Sequence, residues 1–210
     1  MALTDAQQAY EQVKERIITT QMLPGTVIQI DDLMTGLRLG RTPVREALKL
    51  LEAQKLVVVS PRRGIFVADV TLTDLLQIHE IRVEMETLCV RLAVERISAS
   101  QLAEMRRLVK EVADGEARSD QAALLQIDRR FHALIAEAAH NRLLQTEMEK
   151  LYNLSLRIWY LCMSQIVPSD LAEDAFGEIL TAIETKDVVR ANRAIHQHIL
   201  HFHESIKQYL

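Results

Sequence analysis

The chain has 210 residues, 49% hydrophobic but only 4% aromatic, with six glycines, four prolines and a net charge of −4. That length suits one large domain or two small ones, and the apolar content is enough for a full core. The apolar stretches are too short to cross a bilayer, no basic-then-apolar leader is visible, and the isolated Cys89 and Cys162 read as reduced core thiols, so a cytoplasmic protein with no membrane partner is expected.

Residues 6–20 read as a first helix, with Ala9, Val13, Ile17 and Ile18 on its apolar face. Leu23-Pro24-Gly25 is a turn, and 27–30 is a short extended piece. Asp31 or Asp32 is expected to cap a second helix running through Leu37, which Gly40 breaks. A third helix is predicted from about Thr42 to Gln54. Val44, Ala47, Leu48 and Leu51 form its buried face, while Arg38, Arg41 and Arg45 crowd its N-terminal end. Pro43 falls in the first turn, where a missing N–H is tolerated. Such a helix suits the major groove of DNA. Two strands follow, 56–59 and 65–67, joined by a turn over Ser60-Pro61-Arg62-Arg63-Gly64 that carries two more arginines to its tip.

Three helices and a hairpin make a winged helix-turn-helix over residues 1–70. The charge agrees with that reading. Between Arg38 and Arg63 seven Lys/Arg stand against two acids, whereas residues 71–210 carry 16 basic and 21 acidic groups. A local basic patch on an acidic body is the pattern of a DNA-reading module joined to a sensing or dimerising one. Residues 71–210 read as that second domain. Helices are predicted to about Arg96 after a cap at Thr73 or Asp74, to about Gly115 after Ser98 or Ser100, and at about 120–139, 142–166, 169–185 and 187–208. This is an antiparallel all-α bundle of six or seven helices, and the fold class is mainly α.

The string Arg41-Thr-Pro-Val-Arg-Glu-Ala-Leu48, with Pro24-Gly25, Leu51-Glu52, Leu56-Val57 and Arg63-Gly64-Ile-Phe-Val67, resembles the GntR superfamily of bacterial transcription regulators. Ile81-Arg82-x-x-x-Glu86, Asp128-x-x-Phe131-His132, Asn141 and Ala182-Ile183-x-x-x-Asp187 leading to His198 resemble its FadR-type branch, with a C-terminal ligand-binding FCD domain. The resemblance implies a homodimer on a palindromic operator in double-stranded DNA, and a small carboxylic or sugar acid bound in the bundle. It makes Arg38, Arg41 and Arg45 base or phosphate contacts and Thr42 a phosphate contact. The wing around Gly64 enters the minor groove, with Arg62 and Arg63 at its tip placed to meet phosphates or that groove, and Lys49 joins the DNA-facing set. Asp31 stands where relatives often carry an arginine, so that backbone contact is not carried over. Gly40 replaces a frequent serine.

Asp128 and His132, four apart on one helix, share a face and can chelate a divalent metal. His198 lies at the edge of an apolar face beside the small Ala191 and Ala194. Metal-binding FCD domains use an Asp and three His, and these three match that pattern. The remaining histidine position holds Phe176, which cannot coordinate. Three ligands could still hold Zn²⁺, Ni²⁺ or Mn²⁺, with water or an effector carboxylate completing the shell. The alternatives are a metal-free effector pocket or a structural Asp–His pair. Arg82 is either the family's clamp on an effector carboxylate or an i, i+4 partner of Glu86. His196, His201 and His203 are expected on the surface or a dimer face. Leu156, Trp159 and Tyr160 are expected as core or pocket wall. The functional expectation is a ligand-released repressor rather than an enzyme. The competing reading is a metal-dependent enzyme on a helical bundle.

Overall fold

The computed structural model describes residues 3–114, 120–165, 175–207 and 209. The chain divides into two compact units, Met1–Thr71 and Leu72–Leu210.

The first unit opens with α1 (Asp5–Ile18). Thr4 and Gln7 exchange bonds in a capping box, and Ala9, Val13, Ile17 and Ile18 are buried. Next come α2 (Ile30–Leu37) and α3 (Arg41–Ala53). The α2 start differs from expectation: Gln29 is its N-cap, so Asp31 and Asp32 lie inside the first turn instead of capping. The chain is still extended at Gln29, because the Ile28 N–H is bonded to the Ile65 carbonyl. Acids in a first turn still meet the positive end of the helix dipole. The helix stops at Arg38, which adopts the left-handed conformation, and Gly40 serves as the N-cap of α3. Val44, Ala47, Leu48 and Leu51 are buried as their spacing requires, and α3 packs on α1.

The wing is an antiparallel hairpin of β1 (Val57–Ser60) and β2 (Gly64–Val67), in a register that pairs Val57 with Val67. Leu56, expected to open the first strand, belongs to the exit of α3, its N–H bonded to the Leu51 carbonyl. In the turn, Pro61 is followed by Arg62 at φ 65° and the Arg63 N–H bonds the Ser60 carbonyl. Gly64 has φ 115°, which an L side chain rarely adopts. Gly25 is also at positive φ, and its N–H bonds the Val67 carbonyl. Val27 bridges to Phe66 from the other side, so only a fragment of the predicted extended piece is sheet.

The second unit contains α4 (Leu72–Arg96), α5 (Ala99–Ala113), α6 (Gln121–Ala138), α7 (Arg142–Cys162), a 3₁₀ turn at Met163–Gln165, α8 (Ala175–Glu184) and α9 (Val188–Lys207). Thr73 and Asp74 sit inside α4, which begins at Leu72, two residues before a cap at Thr73 would start it. Ser98 does cap α5, in a capping box with Gln101. Asp120 caps α6 and Asn141 caps α7, while the Asp187 side chain accepts the Arg190 N–H at the start of α9. The predicted helix start at 169 and the predicted ends at 115, 166 and 208 lie outside the described residues. The core gathers around Phe131, Leu134 and Ile135 of α6, with Val90 and Ala93 of α4, Ile179 of α8 and Ile195 of α9. Because α4 packs on α6, α7, α8 and α9, a polar side chain on its inner face meets several helices at once. Cys89 and Cys162 are buried free thiols. Among the described residues no helix is long and apolar enough to cross a membrane.

Candidate DNA interface and ligand centre

In the first unit, burying one stripe of α3 leaves Arg41, Thr42, Arg45 and Lys49 exposed. Arg38 is exposed at the end of α2, and Arg62, Arg63 and Gly64 are exposed at the wing tip. The Arg63 guanidinium lies 6.0 Å from the Phe66 ring centre. Arg41 has a partner: its Nη2 is 2.5 Å from Asp31 Oδ1. All the residues read as DNA-facing are therefore on the surface of α2–α3 or of the wing. Arginine forks on a helix N-terminus can contact guanine O6 and N7, and arginines on a wing can meet phosphates.

In the second unit, Asp128 and His132 of α6 meet His198 of α9. Asp128 Oδ1 is 3.5 Å from His132 Nε2 and 3.2 Å from His198 Nε2, and the two Nε2 atoms are 3.0 Å apart. Glu86 of α4 stands behind them, its Oε2 2.5 Å from His132 Nδ1. Arg82, one turn earlier, donates from Nε to Glu86 Oε1 at 2.6 Å and from Nη1 to Ser155 Oγ at 2.6 Å. Its guanidinium also lies against the rings of Tyr152 and Phe202, at 5.2 and 5.0 Å. The Arg82–Glu86 pair anticipated at i, i+4 is therefore present and fully buried. Tyr152 donates its hydroxyl to Asp128 Oδ2, which leaves Oδ1 toward the histidines.

These contacts set the charge states. Burial alone would lift the Glu86 carboxyl, but Arg82 and His132 outweigh it and hold it at about 2. Burial opposes charge on His132, yet Glu86 and Asp128 raise it to about 9. Asp128 is held well below the usual carboxylate range, because His132 and His198 overcome its burial. Burial and the Asp128 charge push the Tyr152 phenol up, so it stays a hydrogen-bond donor.

The donor set fits a divalent ion. Ligand atoms about 2.1 Å from one ion stand roughly 3.0–3.4 Å from each other; two of the edges here fall in that range and the third, 3.5 Å, lies just above it. A carboxylate on the far nitrogen of a ligating histidine fixes the ring and presents the other nitrogen, which is the relation of Glu86 to His132. Phe176 lies beside His198, ring centres 5.2 Å apart, and packs on Phe131 at 4.5 Å. It fills with carbon the side where a further ligand was sought. Between α6 and α7 a cleft of about 220 Å³ reaches His132 and Tyr152, with Ala133, Ala136, Met148 and Asn153 along its wall.

Sequence reasoning missed several of these residues. Tyr152, Asn153 and Ser155 are buried polar groups on an otherwise apolar stripe of α7, and that anomaly was the available signal. Glu86 was read only as a partner for Arg82, since nothing in the sequence places α4 against α6. Of the expected wall residues, Leu156 and Trp159 are buried core and Tyr160 accepts a bond from Gln126. His196 and His201 are exposed. His203 is not: it is buried and stacked on His79, ring centres 4.1 Å apart, because the face of α9 carrying Ile199, Phe202 and Ile206 turns it inward. Burial lowers the affinity of both rings for protons.

The family model described as bacterial regulatory proteins, gntR family, matches residues 5–67, and the FCD domain model matches residues 77–201. The HTH-type transcriptional repressor GlaR of Escherichia coli K12 is 30% identical over 203 residues, spanning 91% of this chain and 90% of the relative. The HTH-type transcriptional repressor RspR of the same organism is 24% identical over 202 residues, spanning 96% and 89%. The solved structure of E. coli McbR/YncC has the same fold, with a TM-score of 0.89 at 23% identity over 99% of both chains. The relatives are transcription regulators, which removes the reading as a helical-bundle enzyme. Winged helix and bundle together show that the chain is a DNA-binding transcription regulator of the GntR family, with a C-terminal FCD domain.

Proposed function

We propose that this regulator is a cytoplasmic homodimeric repressor whose operator affinity is lowered by a small carboxylic or sugar acid bound at the Asp128–His132–His198 centre. The observation that carries the reading is the convergence of these three donors within 4.8 Å of one another. Glu86 reinforces it by holding the far side of His132. The three residues would hold Zn²⁺, Ni²⁺ or Mn²⁺. A bound ion supplies open coordination positions for a carboxylate or hydroxyl oxygen.

The chain's own residues do the rest. Tyr152 fixes which oxygen of Asp128 faces the histidines, and Glu86 fixes the ring of His132. Arg82 stands behind Glu86 and adds positive charge near the effector carboxylate. The α6–α7 cleft gives the effector body apolar contact with Ala133, Ala136 and Met148. Release then requires the effector to bind the low-affinity arrangement of the dimer more tightly than the DNA-bound one.

A metal-free version is favoured by one observation, Phe176 in place of a fourth ligand. In that case Asp128 and His132 hydrogen-bond the effector directly, with His132 carrying positive charge and Arg82 held behind it by Glu86.

On the DNA side, Arg38, Arg41, Arg45, Thr42 and Lys49 read one half of a palindrome, and the wing tip at Gly64 enters the adjacent minor groove with Arg62 and Arg63 set to meet its flanking phosphates. Selection of source-genome fragments on the purified full-length protein, with sequencing of those retained, tests this. A palindrome upstream of one operon, released by that operon's acidic substrate, is the expected result. Retention without sequence preference would overturn it.

A further inference from the structure

We infer that Asp31 is a specificity-determining residue: it holds the Arg41 guanidinium in a fixed orientation for base reading. The inference rests on the DNA-reading role of α3. Arg41 is the first residue of α3, and Asp31 is the second residue of α2. Their contact, Nη2 to Oδ1 at 2.5 Å, joins the two helices of the helix-turn-helix at the surface, with side chains 58% and 77% exposed.

The pair needs a reason to be there. An exposed ion pair in water contributes little to stability. A carboxylate on a surface that approaches phosphates weakens binding to DNA of any sequence. Both facts count against Asp31 as a device for stability or affinity. What the contact does provide is orientation. A guanidinium has five N–H donors in a rigid fork, so a carboxylate on one edge leaves the others free to pair with guanine O6 and N7. Fixing the fork in advance removes rotamer freedom that DNA binding would otherwise have to restrict.

The effect should be confined to one position. Arg38 and Arg45, the other arginines of this surface, have no carboxylate partner among the described residues. Asp31 therefore acts through Arg41, and its effect is confined to the base that Arg41 reads.

The test is selection from a random-sequence DNA duplex pool with the full-length protein, its Asp31→Asn and Asp31→Ala variants, Arg41→Ala, and the double variant Asp31→Asn/Arg41→Ala. Wild type is expected to enrich a palindrome. Asp31→Asn and Asp31→Ala should relax preference about tenfold at one symmetric base position and keep the others. Their affinity for a scrambled duplex at low salt should hold or rise a few-fold. In the Arg41→Ala background, Asp31→Asn should change nothing further. Unchanged preference in the single variants would overturn the inference while leaving the DNA-reading role intact. So would a uniform loss at every position, or an Asp31 effect that persists without Arg41. A wild type that enriches no sequence would overturn the DNA-reading role, and the inference with it.

Discussion

Glu86 of α4 and His132 of α6 form a buried ion pair, Oε2 to Nδ1 at 2.5 Å, with both side chains 3% exposed. This single contact orients the imidazole so that Nε2 faces Asp128 and His198. It also links the donor set to Arg82, whose guanidinium holds the other oxygen of Glu86. The candidate ligand centre is thus a charged column across the bundle rather than a pair of residues on one helix.

Replacing Glu86 by Gln keeps the side-chain shape and removes the charge behind His132. Zn²⁺ affinity measured by chelator competition should fall about 10–100-fold, the usual effect of losing such a partner. An unchanged affinity would mean that Glu86 serves only Arg82.

Acid should weaken the second unit through the same pair. Glu86 is depressed from 4.5 to about 2, so its stabilisation is fully present above pH 4.5 and is lost as pH falls toward 2. Asp128 is depressed as well and adds to the loss. Urea unfolding of the metal-free protein should show stability declining across that window. Glu86→Gln should be less stable at neutral pH, with a shallower decline. A parallel decline in the variant would contradict the assignment.

Phe176→His places an imidazole beside His198, where the phenyl ring now stands 5.2 Å away. We expect tighter metal binding, by about tenfold or more, from a fourth ligand. The metal-free variant should lose roughly 1–3 kcal/mol, because the packing on Phe131 is disrupted and a polar ring is buried. Calorimetric titration and urea unfolding measure the two effects separately. Tighter metal binding is the decisive one, and its absence would place residue 176 outside the coordination sphere.

The wing and the recognition helix should separate in salt titrations. Arg63→Ala should weaken operator and scrambled DNA alike and lower the slope of log affinity against log salt by about 1. Arg45→Ala should remove about 1–3 kcal/mol from operator binding with a smaller effect on scrambled DNA. Fluorescence anisotropy on both duplexes reads this out, and equal effects of the two variants would refute the division of roles.

The winged helix was legible in the sequence because its signals are local. Apolar spacing in α3, proline and glycine at the turns and clustered arginines all lie within thirty or so residues. Helix starts were less legible, since Asp31 and Thr73 look like caps but fall inside first turns. The candidate ligand centre was half legible. Asp128 and His132 follow from helical spacing, and His198 followed from family resemblance. Glu86, Tyr152 and Ser155 come from α4 and α7, and only the packing of those helices against α6 brings them in. His203 was misread for the same reason, because one helix alone does not say which of its flanks a neighbour covers.

The most direct test of the ligand centre is elemental analysis of the full-length protein purified without a histidine tag, combined with thermal unfolding on adding Zn²⁺, Ni²⁺ or Mn²⁺. The account predicts close to one equivalent of a divalent metal and a raised Tm, both lost in Asp128→Ala and His132→Ala, since a ligand that binds only the folded state stabilises it. Less than about a tenth of an equivalent, with no thermal shift from any of the three ions, would contradict a metal-holding centre.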